Sequence, residues 1–593
     1  DLRAFAFGTA LRGAPAGTNY LARDTLGRLL VRGGGSGLRG TGNGGFGFNY
    51  QGENEVSDRQ SSRFLGSLTA SYLPAEWVTF EGTVAYDNRD RTDRFFRPKG
   101  YRTQAISTAD NNGRIDLESR NTNSTNASLT ATFRKRLREK LNGKLRCRGL
   151  YDHSEVDEHG SAGQIFRVVG IHQSSATSAN FSTRSFTEET TNIGLFAGAT
   201  LDYKDRYILE GAFRYDGSSR FGPDNRWAPF GRISGVWRVS EEPWYNVGFL
   251  NELRLRGSRG TAGTTPRFSA QYEVYQVAST GITLDQAGNS LLRPETTTEY
   301  EVGADRELWS RIGLECTYAH GTTRDQILPV SVPAALGFTT QWQNAGTLTN
   351  ETFELGMTLP IVNSSSVFWQ MRGSWDRTRT HITELFVPEF VYNGGTAQGT
   401  SSFFKIRQGE RFGTICGAKF ATSCSDLPTA FQADCGPGKS YQLNDRGWLT
   451  WVGAGNSWKD GITKNLWTTH LPAGESPFKR QLGWGHPIMI ANPAAPNTAQ
   501  QFALGNVLPD FRFTFTNDIQ YKRLTLYTLV DGTIGHKINN QGEGWGLLDF
   551  NSANFDQGGE SVETAKPVGY SWRCGSPCKQ DGTGGFHDTL GAN

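Results

Sequence analysis

The sequence predicts an all-β chain, a large antiparallel transmembrane β-barrel that is incomplete over this stretch. Three observations predict it. Apolar and polar side chains alternate with period two through many segments. The polar positions repeatedly carry Arg and Glu in mid-strand, while the apolar positions are rich in Tyr, Phe, Trp and Leu. Connections between segments alternate, loosely, between brief and long. A soluble sandwich also alternates, with its apolar face inward. Mid-strand charge instead fits a water-filled lumen, and aromatic-rich apolar positions fit a lipid face with girdles.

Composition agrees. The 593 residues hold 61 Lys+Arg against 58 Asp+Glu, a formal +3 that gives no case for a nucleic-acid surface. Only 36% of residues are apolar, but 12% are aromatic, which argues against disorder. No apolar run reaches the roughly 18 residues of a transmembrane helix, so any membrane crossing is made by strands. The N-terminal "DLRAFAFGTALRG" lacks the charged region, apolar core and cleavage site of a secretory signal, which does not decide the compartment.

Along the chain, the glycine-rich "VRGGGSGLRGTGNGGFGFNY" reads as a loop entering a strand. Its "GGGSGLRG" has no strand–helix unit and downstream acid to make a dinucleotide loop. "FLGSLTASYL" and "ASLTATFRKRL" alternate, with "LPAEW" a brief turn; "ATFRKRLREKLNG" fits either a short basic helix or a strand and turn. "YDHSEVDEHG" groups Asp152, His153, Glu155, Asp157, Glu158 and His159, but without the spacing of a calcium or zinc site it reads as a solvated acidic loop. In "YILEGAFRYD", Tyr207, Leu209, Gly211, Phe213 and Tyr215 oppose Ile208, Glu210, Ala212, Arg214 and Asp216. "RYDGSSRFGPDNRW" then reads as a long polar connection, with Asp216, Arg220, Asp224 and Arg226 pairing among themselves rather than holding an anion. "ELRLRGS", "TEYEVGAD", "DFRFTFTND" and "RLTLYTLVDG" alternate again, and "ELWSRI" is another brief turn.

Chemistry is sparse. Of seven cysteines, Cys416, Cys424 and Cys435 are placed for a local bridge, and Cys574 and Cys578 lack a second ligand pair for zinc. No spacing singles out a carboxylate pair for glycoside hydrolysis, and no nucleophile elbow appears. The span from Gly447 to Trp484 concentrates Trp448, Trp451, Trp458, Trp467 and Trp484 among Gly, Asn, Lys and Asp. Indole faces there can stack on sugar rings; the alternatives are a membrane girdle or packing inside a large external loop.

The motifs of the middle and late chain, taken together, resemble the SusC/RagA-type TonB-dependent outer-membrane transporters. Arg214, Asp216, Gly217, Ser218, Ser219, Arg220 and Phe221 match a strand ending of that family, followed by Arg226 and Trp227 of the next strand. Trp237, Arg238, Ser240, Glu241, Glu242 and Pro243 match the turn beyond it. Later matches keep the family's order: "LNELRLRGSRGTAG", the Pro294-Glu295-Thr296 strand entry, and Asn344, Gly346, Asn350 and Glu354, where Thr352 replaces the usual glycine. "RQGERFGTICGAKF" and "LPDFRFTFTNDIQYKRLTLYTLVDGTIGHKINN" complete the set, which runs from roughly residue 60 to 550.

The resemblance implies a barrel of about 22 strands in the bacterial outer membrane, a plug reached by the TonB complex, and a SusD-like surface lipoprotein over the pore. It implies import of an oligosaccharide or peptide, with no cofactor and no catalytic residue. The motif residues are expected to be structural. No plug is recognisable before the first strands, and "GYSWRCGSPCKQDGTGGFHDTLGAN" shows no alternation. Residues 1–570 therefore read as a partial barrel with long external loops and 571–593 as an irregular tail, a fragment that would not transport by itself. An outer-membrane receptor or adhesin, and a secreted carbohydrate-active β protein, are the alternatives.

Overall fold

The computed structural model of the protein describes residues 56–99, 112–278, 281–391, 404–444, 446–460, 464, 466, 469–479 and 481–538. Fourteen strands follow one another through a single sheet, each antiparallel to the next. They are β1 (Val56–Ala75), β2 (Val78–Arg97), β3 (Arg114–Arg138), β4 (Leu141–Phe166), β5 (Thr177–Tyr203), β6 (Tyr207–Ser218) and β7 (Trp227–Arg238). The path continues through β8 (Leu250–Thr264), β9 (Glu295–Leu308), β10 (Ile312–Ser331), β11 (Thr340–Asn363), β12 (Val367–Leu385), β13 (Phe511–Tyr521) and β14 (Leu524–Ile534). Among the described residues the sheet is open, β1 and β14 being its edges.

The two ends of the sheet differ. At one end the connections 76–77, 139–140, 204–206, 309–311, 364–366 and 522–523 are two or three residues long, and 239–249 is the exception at eleven. Several use left-handed residues, as at Trp309 and Ser310 with φ of 50° and 51°, because such turns match the twist of the flanking strands. At the other end the connections are long: 219–226, 265–294 and 386–510. Outer-membrane barrels keep short turns on the periplasmic side and long loops outside.

Register makes the two faces explicit. On one face Leu68 stands opposite Val84, Tyr72 opposite Phe80, and Leu209 opposite Leu201. These side chains are open to the surroundings, Leu68 at 75% and Phe64 at 63% exposure. Apolar surface left in water forfeits about 25 cal/mol per Å², so a continuous apolar wall is stable only against lipid. Aromatic rings border the band. Near the short turns Tyr203, Tyr207 and Trp237 stack in series at 6.2 and 6.4 Å, and Tyr215 stacks on Trp227 at 5.1 Å toward the long loops.

β3, β4 and β5 hold 25, 26 and 27 residues, whereas a membrane-crossing strand needs about 9–11. The surplus lies toward the long loops, where the outward positions of β2 turn from Tyr86 to Asn88 and Asp90. "YDHSEVDEHG" belongs to this surplus. It is not the predicted loop but the interior of β4, with Asp152 and Glu158 on the charged face and His153, Glu155, Asp157 and His159 on the other. Both faces are wet there, so the strand carries charge on both. "ATFRKRLREKLNG" is strand, two-residue turn and strand, without a helix. The stretch from Arg214 to Trp227 is strand through Ser218, leaving only 219–226 as connection.

The long connections pack on one another. Phe221, Ala270 and Leu292 are buried together with Ile327 and Trp342 against them, joining the connections after β6 and β8 to β10 and β11. Connection 386–510 has its own core of Ala421, Leu427, Tyr441, Leu449, Trp451, Val452, Phe478, Leu482, Trp484 and Ile488. A second cluster, with Ile406 against Leu328, Val330, Ala345 and Ile382, ties that connection to the rim of β10–β12. The glycine-rich N-terminal stretch, Cys574, Cys578 and the 571–593 tail lie outside the described residues.

Candidate functional site

The charged face of the sheet is the surface on which a solute can be held. On β1–β5 it carries a continuous lattice of ion pairs toward the long loops. Arg59 pairs with Asp93, and Asp93 with Arg91 at 2.8 Å. Arg91 pairs with Glu118 at 3.0 Å, and Glu118 with Arg184. Arg184 reaches Glu158 at 3.3 Å, and Glu158 lies 3.7 Å from Arg120. Each step crosses to a neighbouring strand or runs along one, except that Arg184 of β5 reaches over Gly160 of β4 to Glu118, and the period of two puts all these residues on one face. On the far side Arg254 pairs with Asp305 at 2.7 Å, Arg256 with Glu301, and Arg512 with Asp376 at 2.9 Å.

The motif residues sit around this wall. Arg214 pairs with Asp216 at 3.0 Å on β6, and Arg220 reaches Glu188 of β5 at 3.8 Å. Arg226 donates to the Phe221 carbonyl at 3.4 Å. The predicted pairing of Asp216, Arg220, Asp224 and Arg226 with each other is therefore absent among the described contacts, since the strand alternation turns Arg214 and Asp216 to the same face. Gly217 has no room for a side chain: a Cβ there would lie 2.8 Å from the Trp227 indole. The Ser218 hydroxyl accepts from the Arg220 amide at 3.3 Å, and that of Ser219 from the Thr191 amide at 2.9 Å. Phe221 is buried.

On β11 the Asn344 amide donates to the carbonyls of Arg293 and Asp325 and accepts from the Arg293 amide, clamping the end of connection 265–294. Gly346 lets the Glu384 carbonyl approach to 2.5 Å of where a Cβ would stand. Asn350 accepts from Thr380 at 2.9 Å. Glu354, opposite Thr317 and Asp376, is exposed on the charged face.

The tryptophans divide. Trp451 and Trp484 are buried in the core of connection 386–510. Trp458 packs against that core half-buried, with the Lys459 ammonium 5.3 Å from its ring. Trp448 is half-buried, flanked by Phe420 at 4.8 Å and by the Arg446 guanidinium at 5.5 Å. Trp467 lies outside the described residues.

Cys424 and Cys435 form a disulfide in the same connection, which fits a chain end facing an oxidising exterior. Cys147, Cys316 and Cys416 are free, and burial pushes the Cys416 thiol pKa up. No group of three or more metal-ligating side chains converges among the described residues. Sequence reading missed the arginine–carboxylate lattice, although the odd positions of "DNRDRTDR" in β2, Asp87, Arg89, Arg91 and Asp93, were its signal.

The profile of the family described as "TonB dependent receptor-like, beta-barrel" matches residues 4–555. Among curated relatives, TonB-dependent receptor P26 of Formosa agariphila is 23% identical over 502 residues, covering 81% of this chain and 46% of the relative. TonB-dependent receptor SusC of Bacteroides thetaiotaomicron is 26% identical over 217 residues, 34% of this chain and 22% of the relative. The RagAB peptide importer in its closed-closed state superposes with a TM-score of 0.67 at 16% identity, over 89% of this chain and 55% of that one. That likeness is one of fold. The chain spans about half the length of the Formosa relatives it matches.

Proposed function

From a chain that belongs to the TonB-dependent receptor-like β-barrel family, we propose the barrel part of an outer-membrane importer for oligosaccharides or peptides. The family is one of receptors, not of enzymes, and its members lie in the outer membrane. The observation that carries the import reading is the pairing of opposite faces: an apolar, aromatic-bordered wall backed by a hydrated lattice of arginines and carboxylates. Such a wall suits passage of a polar solute.

Energy from a TonB complex acting on a plug, and a SusD-like lipoprotein over the long-loop end, complete the reading. It needs no cofactor and no catalytic residue. Trp448 and Trp458, which keep part of their indoles accessible, are its candidate ligand contacts, with Trp451, Trp484 and Trp467 behind or beside them. The motif residues on β6, β7 and β11 serve as structural fasteners.

Cells producing the transporter should accumulate labelled oligosaccharide or peptide only when TonB is present and the inner membrane is energised. Surface binding without TonB-dependent accumulation would favour the second reading, a receptor or adhesin barrel. The secreted reading loses its basis, since the family's members lie in the outer membrane.

A further inference from the structure

We propose that the charged face of β1–β3 near the long loops is a binding site for carboxylate-rich peptides, a substrate class that rests on the import reading above. Arg63, Arg89, Arg91 and Arg120, with Asp87 and Thr122, line a recess of about 290 Å³. Four guanidinium groups thus face one carboxylate. The surrounding pairs do not remove the surplus. Asp87 is held by Arg63, and Arg91 already shares Asp93 and Glu118 with Arg59 and Arg184. Among the described residues Arg120 has only Glu158, 3.7 Å away and itself contacted by Arg184.

Arg89 decides the matter. Its side chain is exposed and makes no ion pair among the described residues, its Nε donating only to the Ser61 hydroxyl at 3.4 Å. A guanidinium fork among three others calls for an oxyanion, and its planar donors match a carboxylate edge-on. The charged wall of a barrel backed by lipid concentrates its field on the lumen, which raises the local concentration of anions.

Two features favour a peptide over a polyuronate. The wall presents both signs in alternation, so a chain bearing carboxylates alone meets Asp87, Asp93, Glu118 and Glu158 as repulsive neighbours. A peptide adds an ammonium terminus and amide N–H groups that those oxygens accept. The recess lining also has no aromatic ring on which the apolar face of a sugar would stack.

The test is calorimetric titration of the full chain in detergent with hexaglutamate, hexaserine and hexagalacturonate, at low and moderate salt. Hexaglutamate is expected to bind, to weaken as salt rises, and to bind at least about tenfold more tightly than hexaserine. Arg89→Glu should weaken hexaglutamate about tenfold, and Arg89→Lys, which keeps the charge but loses the planar fork, should weaken it by less. Because Arg89 belongs to no ion pair among the described residues, Arg89→Lys breaks none of them; heat-modifiability on gels checks that both variants fold. Equal binding of hexaserine, an unaffected Arg89→Glu variant, or tighter binding of hexagalacturonate would overturn the proposal and leave import standing. Binding of none of the three would likewise overturn the proposal, whereas the import reading falls only where TonB-dependent accumulation is absent.

Discussion

Arg63 of β1 holds Asp87 of β2 by two parallel contacts, Nε to Oδ1 at 2.8 Å and Nη2 to Oδ2 at 2.6 Å. The contact is diagonal: Asp87 stands opposite Leu65, two residues along β1 from Arg63, whose own partner across the pair is Arg89. The guanidinium is 56% exposed, so solvent screens the pair. Asp87→Asn should leave stability almost unchanged. It should also leave Arg63 free for a ligand anion. Thermal melting and hexaglutamate titration are expected to move apart, the first little changed and the second tightened.

Gly346→Ala places a methyl group 2.5 Å from the Glu384 carbonyl, a backbone atom that has nowhere to go without parting β11 from β12. A loss of about 1–3 kcal/mol is expected. Gly211→Ala is the matched control, since a Cβ there meets nothing within 4 Å. Heat-modifiability on gels should fall for the first variant and hold for the second.

Trp484 is 2% exposed within the core of connection 386–510. Trp484→Ala should cost that core about 3–5 kcal/mol and open the connection to protease while the strands stay resistant. Trp448→Ala, at a half-exposed site, should leave the cleavage pattern of the wild type and alter only ligand affinity.

The Cys424–Cys435 bridge spans a sequence separation of 11. Replacing both cysteines by serine should lower the stability of the same core by about 2–3 kcal/mol. Cys416 should stay unlabelled by maleimide in the native protein, because it is buried and its thiol is kept protonated.

Connection 386–510 offers a titration. Hydrogen bonds from Arg407 and Lys405, in that order, hold the Glu389 carboxyl below its ordinary value of 4.5, with Glu410 the other carboxylate facing Arg407. A lowered value in the folded chain means that this attachment is at full strength above pH 4.5 and is lost as pH falls through the lowered value. Proteolysis of the connection should therefore be flat from neutral pH down to the ordinary carboxylate range and rise below it. Glu389→Gln should weaken the attachment at neutral pH and flatten the acid rise.

Period-two alternation made the membrane-facing strands legible: Tyr207, Leu209, Phe213 and Tyr215 share a face as the pattern requires. The reading failed where water wets both faces. His153, Glu155, Asp157 and His159 lie on a strand, but the one apolar side chain among them, Val156, sits on the charged face, so no apolar row marks the alternation and composition reads as loop. The motif arginines were located in sequence, but their partners were not, since Arg220 finds Glu188 on a neighbouring strand rather than a nearby residue. The tryptophans carried no local sign of burial. Trp451 and Trp484 meet through packing between segments more than thirty residues apart, and spacing along the chain does not encode that.

Strand length, finally, gives the mouth a slope. Rising from turns at one common end, β3–β5 extend 25–27 residues and β13–β14 only 11, strand lengths of roughly 85 and 36 Å at about 3.3 Å per residue. The packed connection stands where the parapet is lowest, rooted between β12 and β13. The rim of the described sheet therefore slopes from the tall charged flank of β3–β5 down to the tryptophan-cored connection between β12 and β13.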